Sequence, residues 1–192
     1  EIGSGLVGSE MCIRDRVYGK KYINKYLNRK KPFDSCGMIV LDVDCFKLVN
    51  DNYGHLFGDK VLARLAMLLK EVFRDNDSIL MRAGGDEFVI FVKDILNIEL
   101  VRKNVELMQK IRDLQFGKTG CTITCSAGCC YLPENVSGYT YDQLFENADI
   151  ALYKAKERGK NCYVYCDSLQ HFSSMIAEQE KQEEMLEARY FQ

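Results

Sequence analysis

A chain of 192 residues is long enough for one domain with a full core plus an appendage. Its 26 Lys and Arg against 28 Asp and Glu leave a net charge of −2, which offers no basic field for a nucleic-acid partner. No apolar run approaches the ~18 residues that span a bilayer and no signal peptide is evident, so a soluble, cytoplasmic chain that is not membrane-embedded is expected.

In chain order, the first segment stands apart. Met11-Cys12-Ile13-Arg14-Asp15 matches the translation of a transposon sequencing adapter, so 1–15 is read as non-native and set aside from fold reasoning. A helix is predicted over 18–29, and Pro32 and Gly37 mark a turn into a strand at 38–41. Val61, Leu62, Leu65, Ala66, Leu68, Leu69 and Val72 form a helical stripe within 59–73. Strands over 78–81 and 88–92 flank a glycine bend, and a further helix follows over 97–114. The stretch 122–131 reads as a strand, with Cys121, Ile123, Cys125 and Ala127 on one face. A helix over 141–158 and a strand over 161–165 complete the series, which fits a sheet with helices on one or both faces. After Cys166 the composition turns polar and acidic, and 168–190 reads as a long, sparsely apolar helix, either a solvated tail or a connector.

Nine cysteines invite a metal or disulfide reading, yet no Cys-x-x-Cys pair occurs. Buried, reduced thiols acting as small hydrophobes are expected instead. The two histidines, His55 and His171, do not supply a zinc site between them. His171 reads as a surface residue, and His55 as loop-ordering or substrate-side.

Chemistry concentrates in two blocks. In Arg82-Ala83-Gly84-Gly85-Asp86-Glu87-Phe88, two glycines and two carboxylates sit at a bend that feeds an apolar strand. Glycine permits a sharp turn and close approach of a ligand. Adjacent carboxylates repel unless a cation sits beside them, and hard oxygen donors point to Mg²⁺. Taken alone, this is equally a solvent-exposed acidic turn. The second block runs Asp42-Val43-Asp44-Cys45-Phe46-Lys47, then Asn50-Asp51, Gly54-His55 and Gly58-Asp59. Asp42 and Asp44 alternate with Val43, so on an extended backbone they point the same way. Carboxylates ending one strand beside a carboxylate hairpin on its neighbour make a two-strand metal site. Lys47 supplies a point charge suited to phosphate, while Asn50 and Asp59 can read a base edge.

These blocks carry a family resemblance. Gly84-Gly85-Asp86-Glu87-Phe88 is the signature of the GGDEF domain, the diguanylate cyclase module, letter for letter. The likeness extends over Asp42 to His55, Gly58-Asp59, Ala148-Asp149 and Tyr153 to Asn161, from about Arg16 to Tyr165. It places the domain at 16–166, with the adapter-derived segment at 1–15 and a helix or linker at 167–192. The last residues look like the lead-in to an EAL phosphodiesterase domain, so the chain resembles a fragment of a GGDEF–EAL protein. Family members carry an Asp-x-Leu-Thr-Gly-Leu-x-Asn-Arg segment before the first helix, of which only Arg16 remains here. The fold implied is an α/β (α+β) nucleotidyl-cyclase palm, ferredoxin-like, with a mainly antiparallel central sheet flanked by helices.

The activity implied is condensation of two GTP into cyclic di-GMP with release of two pyrophosphates, across a homodimer. Asp42 and Asp86, with the Val43 carbonyl, are then expected to hold Mg²⁺ (or Mn²⁺). Glu87 joins the metal or helps deprotonate the 3′-hydroxyl. Phe46 and Lys47, with Lys156 and Lys160, take the β- and γ-phosphates. Asn50 and Asp59 hydrogen-bond guanine, His55 lies on the substrate side, and Gly84 and Gly85 let the ligand approach. Each has a plainer rival: Lys156 and Lys160 complement a helix C-terminus, Asn50 caps a turn, and Asp59 is an N-cap.

A product-binding Arg-x-x-Asp precedes the signature in many members. Here Arg74 and Asp77 have the right letters, but six residues rather than five separate Asp77 from Gly84, which puts feedback inhibition in doubt. The alternative function is a catalytically silent GTP-binding domain regulating an attached phosphodiesterase.

Overall fold

The computed structural model describes residues 16–28, 35–74, 77–117, 119–134, 136 and 138–166. The expected segment 1–15, the helix over 168–190 and His171 lie outside the described residues. The elements are helix α1 (Arg16–Leu27), strand β1 (Cys36–Val43), helices α2 (Phe46–Tyr53) and α3 (His55–Val72), and strands β2 (Ser78–Gly84) and β3 (Glu87–Lys93). Helix α4 (Asn97–Arg112), strand β4 (Cys125–Leu132), helix α5 (Tyr141–Glu157) and strand β5 (Tyr163–Cys166) follow. Among the described residues no helix is long and apolar enough to cross a membrane.

The strands form one five-stranded sheet in the order β2-β3-β1-β4-β5. All pairs are antiparallel except β4 with β5. This mixed α/β architecture with a mainly antiparallel sheet is the one the resemblance implies. The central position of β1 explains its unbroken apolar run: both its faces are covered, so no polar alternation survives. Ile39, Leu41 and Val43 join Phe88, Ile90 and Val92 under α3 and α4, through Leu62, Leu65, Leu69, Leu100 and Leu107. On the other face Met38 and Val40 meet Val89 and Phe91 under α1 and α5, through Ile23, Tyr26, Leu144 and Leu152. Helix α5 starts at a capping box in which Thr140 and Gln143 exchange side-chain-to-backbone bonds. It then lies directly on β4, because Gly128 offers no Cβ between them.

Several element bounds differ from expectation. One helix was expected to begin at Asp59, but two helices occur, α2 and α3, broken at Gly54 with φ +83°. Asp59 therefore lies in the second turn of α3 and is not its N-cap. Strand β4 begins at Cys125 and not at residue 122, since β1 pairs it only as far as Val43↔Cys125 before turning into α2. Cys121 and Ile123 nevertheless enter the same core as Cys125 and Ala127, on the face the alternation predicts. Asn161 cannot start β5, as its φ is +50°. Cys36, Cys121, Cys125, Cys129 and Cys130 are buried free thiols, whereas Cys45 is exposed and Cys162 and Cys166 are half-buried. Burial pushes the Cys36, Cys125 and Cys129 thiols well above the usual range, which keeps them protonated and inert.

Candidate active site

The site grows from the end of β1. Asp42 pairs in register with Glu87 of β3 on one side and with Ser126 of β4 on the other. Directly opposed residues of an antiparallel pair project to the same face, so the Asp42 and Glu87 carboxylates share the α1/α5 side. The chain between β2 and β3 turns over just two residues, Gly85 and Asp86, since Gly84 pairs with Glu87. Gly85 has φ +42°, a conformation that glycine adopts without strain. Arg82 Nε donates to the Gly85 carbonyl at 2.8 Å, and Arg82 Nη2 donates to the same oxygen. Nothing lies within 4 Å of a Cβ built on Gly84, so no internal contact requires glycine there. Its backbone faces open space.

Helix α5 ends over the same spot. Lys156 in its last turn pairs with Asp42 Oδ1 at 3.0 Å. Burial raises the Asp42 carboxyl above its ordinary range, Lys156 pulls it back, and the Asp86 and Asp44 carboxylates push it up again. The net rise means that one lysine does not offset burial, the largest cause, together with the neighbouring carboxylates. Lys160, just past the helix, brings Nζ to 3.2 Å from Cys45 Sγ. Lys156 and Lys160 thus reach the end of β1 and are not merely dipole partners.

From β1 the chain passes through Asp44 and Cys45 into α2. This puts the N-terminus of α2, with Phe46 and exposed Lys47, just beyond Asp42, and α2 has no side-chain N-cap, so this helix end favours an anion. Asn50 on α2 lies against α3, its Oδ1 2.0 Å from where a Gly58 Cβ would stand. Asp59 follows directly and is exposed, and exposed His55 opens α3. Asn50 does accept a turn bond, but through its backbone oxygen, from the Gly54 N–H at 2.8 Å. Its side chain packs against Gly58 of α3.

Asp44, expected to point the same way as Asp42, has different partners. It is buried and accepts from Ser126 Oγ at 2.6 Å, Thr124 Oγ1 at 2.7 Å and the Asn161 N–H at 3.0 Å. The Asp-x-Asp spacing cannot distinguish the two. The hydroxyls of Thr124 and Ser126, alternating with core residues, are the signal that the sequence reading passed over, as is Arg82.

Arg74 and Asp77 are not brought here. They lie where β2 begins, at the opposite end of the sheet, since Ser78 pairs with Val92 while Gly84 pairs with Glu87. Asp77 is paired with the Lys93 ammonium, and its carbonyl accepts from the Lys93 N–H at 3.2 Å. Between these two ends, the β2–β3 ladder shifts register between Arg82 and Gly84.

Residues 12–162 match the family profile described as diguanylate cyclase, GGDEF domain. The chain belongs to the GGDEF family. Diguanylate cyclase DgcS of Shewanella oneidensis is 33% identical to this GGDEF domain over 146 residues, 76% of this chain and 47% of that protein. Cyclic di-GMP phosphodiesterase PdeR of Escherichia coli is 34% identical over 125 residues, 65% of this chain and 18% of that protein. Among solved structures, the active GGEEF domain of a diguanylate cyclase from Vibrio cholerae matches with a TM-score of 0.64 at 30% identity. That match covers 69% of this chain and 83% of the other. The GGDEF domain described here spans less than half the length of these two curated relatives.

Proposed function

We propose that this domain is a diguanylate cyclase half-site, joining two GTP into cyclic di-GMP when two copies face each other. The observation that carries the reading is the meeting of Asp42, Glu87 and Lys156 at the end of β1, beside Asp86 and the bare backbone of Gly84.

Mg²⁺ or Mn²⁺ fits this donor set. Among the described residues no three acidic, His or Cys side chains form a cage for a metal. Mg²⁺ is characteristically held by one or two carboxylates together with substrate phosphates, which is the arrangement Asp42 and Asp86 with the Val43 carbonyl can offer. When bound, the ion neutralises phosphate charge and polarises the α-phosphorus. The remaining work falls to the chain. The N-terminus of α2, with Phe46, Lys47 and Lys160, holds the β- and γ-phosphates. Lys156, already on Asp42, adds a second cation at the boundary between carboxylate and phosphate. Asn50 and Asp59 read guanine, whose ring N–H and exocyclic amine are donors that adenine lacks. Glu87 either completes the metal ligands or accepts the proton leaving the 3′-hydroxyl of the partner's GTP at its carboxylate oxygen. One site holds one nucleotide, so a second copy is required. A GTP substrate supports a cytoplasmic domain.

The test is to incubate the purified chain with GTP and Mg²⁺ at dimer-promoting concentration and to separate the products. Cyclic di-GMP with two pyrophosphates is expected. The name of the relative PdeR favours one rival, a silent domain that regulates a phosphodiesterase. Tight GTP binding without product establishes that rival instead.

Base reading has its own check. Gly58→Ala places a Cβ against Asn50 Oδ1 and, at 3.1 Å, Phe46 Cζ. A side-chain amide can swing away, and Ala favours helix over Gly by about 1 kcal/mol, so the fold should hold. The displaced Asn50 is expected to weaken GTP binding about 10-fold, the scale of one lost buried hydrogen bond. Titration calorimetry measures it, and unchanged affinity removes Asn50 from the base site.

A further inference from the structure

Asp44 has no part in the mechanism above, yet its carboxylate accepts three hydrogen bonds. Besides the two hydroxyls and the Asn161 N–H, its own N–H donates to the Thr124 carbonyl at 2.9 Å. These bonds join the end of β1, the lead into β4 and the turn between α5 and β5. A buried carboxylate is costly unless its oxygens are satisfied, and here they are taken up by protein donors. Asp44 is therefore not free to act as a ligand as Asp42 is.

The turn it holds is strained. Gly159, Lys160 and Asn161 have φ of +101°, +66° and +50° in succession. Left-handed backbone costs a non-glycine residue roughly 1–2 kcal/mol, so it persists where surrounding contacts over-determine it. The contacts on Asn161 are the Asp44 carboxylate on its N–H and Arg112 Nε on its Oδ1 at 3.0 Å. Lys160 is further tied by its N–H to the Ala155 carbonyl at 3.2 Å. The strained turn folds Lys160 back to Cys45, the residue next to Asp44 and the N-cap of α2.

We propose that Asp44 is a positioning residue for polyphosphate binding. Through the Asn161 N–H it holds the α5–β5 turn in the left-handed form that delivers Lys160 to the N-terminus of α2. It thereby sets the preference for a nucleoside triphosphate over the monophosphate. The proposal rests on the reading of this site as a GTP site.

The test measures GTP and GMP affinities of the full chain and of Asp44→Asn, Lys160→Met and the double variant. Asp44→Asn is expected to weaken GTP about 10-fold, the scale of a charge-assisted contact, while GMP changes less than about 2-fold. Lys160→Met should lose GTP to a similar degree, and Asp44→Asn should add nothing in that background. Hydrogen exchange at Asn161 should quicken while amides within β1 and β4 stay protected. Equal losses for GTP and GMP, or independent losses that multiply in the double variant, overturn the proposal. An unaltered Asp44→Asn affinity, with the parent binding GTP, overturns it alone; a parent that does not bind GTP overturns the GTP-site reading with it. If Asp44→Asn does not fold, Thr124→Val removes one donor to the same carboxylate. It should lower the GTP-to-GMP ratio about 3-fold, less than loss of the carboxylate because two of its three donors remain, and an unchanged ratio is again decisive against the proposal.

Discussion

Gly128→Ala is expected to destabilise the fold by about 3 kcal/mol or more, the upper range for overpacking a tight interior. A Cβ at this position would lie 1.9 Å from the Ala148 carbonyl oxygen, 2.2 Å from the Leu152 nitrogen and 2.9 Å from the Ala151 carbonyl carbon. All three are backbone atoms of α5, so no rotamer change relieves the clash. The strand cannot retreat either, because Gly128 is paired with Val40 of β1 and Val164 of β5. The helix must move, and Lys156 near its C-terminus moves with it, away from Asp42. For a domain of this size the change corresponds to a fall in Tm of roughly 6–12 °C. Circular dichroism on heating measures it. A Tm within about 2 °C of the parent would show that α5 is not seated on β4 as described.

The second large effect separates stability from activity. Asp42→Asn is expected to cut GTP turnover by at least about 10²-fold, in line with removal of a charged group at a reacting centre. The same substitution should leave the chain without divalent cations no less stable at neutral pH. The reason lies in the sign of the Asp42 shift: burial, with Asp86 and Asp44 nearby, raises its folded-state carboxyl despite Lys156. A raised carboxyl contributes its stability below the unfolded value, near 3.9, and loses it as pH rises through the folded value. The isosteric amide carries no such loss. Its stability should therefore fall less between acid and neutral pH, and added Mg²⁺ should no longer raise its Tm. Melting curves from pH 4 to 7, with and without Mg²⁺, provide the comparison. A variant that keeps Mg²⁺-dependent turnover within 10-fold of the parent would remove Asp42 from the metal.

What was legible beforehand follows from the range of the interactions. The hairpin at Gly85 and Asp86 is decided by turn chemistry and by the apolar strand that follows it, all within a few neighbouring residues. The even–odd pattern around Cys121, Ile123, Cys125 and Ala127 put them in the right core even though β4 begins later than expected. The start of α3 was less legible. The helical stripe begins at Val61, but the helix begins at His55: of the apolar pair in its first turn, Leu56 is exposed and Phe57 packs only at the core's edge, so neither continues the buried stripe.

By itself the sequence determined the motif chemistry: the glycine turn, the acidic pair within it, Asp42 at a strand end, and membership of the GGDEF family. Local spacing suffices for these, since strand alternation and turn preferences act over a few residues. Only the tertiary structure decided that Asp42 and Asp44, alike in sequence, take opposite parts. The hydroxyls and the N–H that claim Asp44 come from 80, 82 and 117 residues away along the chain. It also decided that Lys156 meets Asp42, that Gly84 faces open space, and that Gly128 must have no side chain. Each of these depends on which distant segments the closed sheet brings into register, and no pattern confined to one segment carries that information.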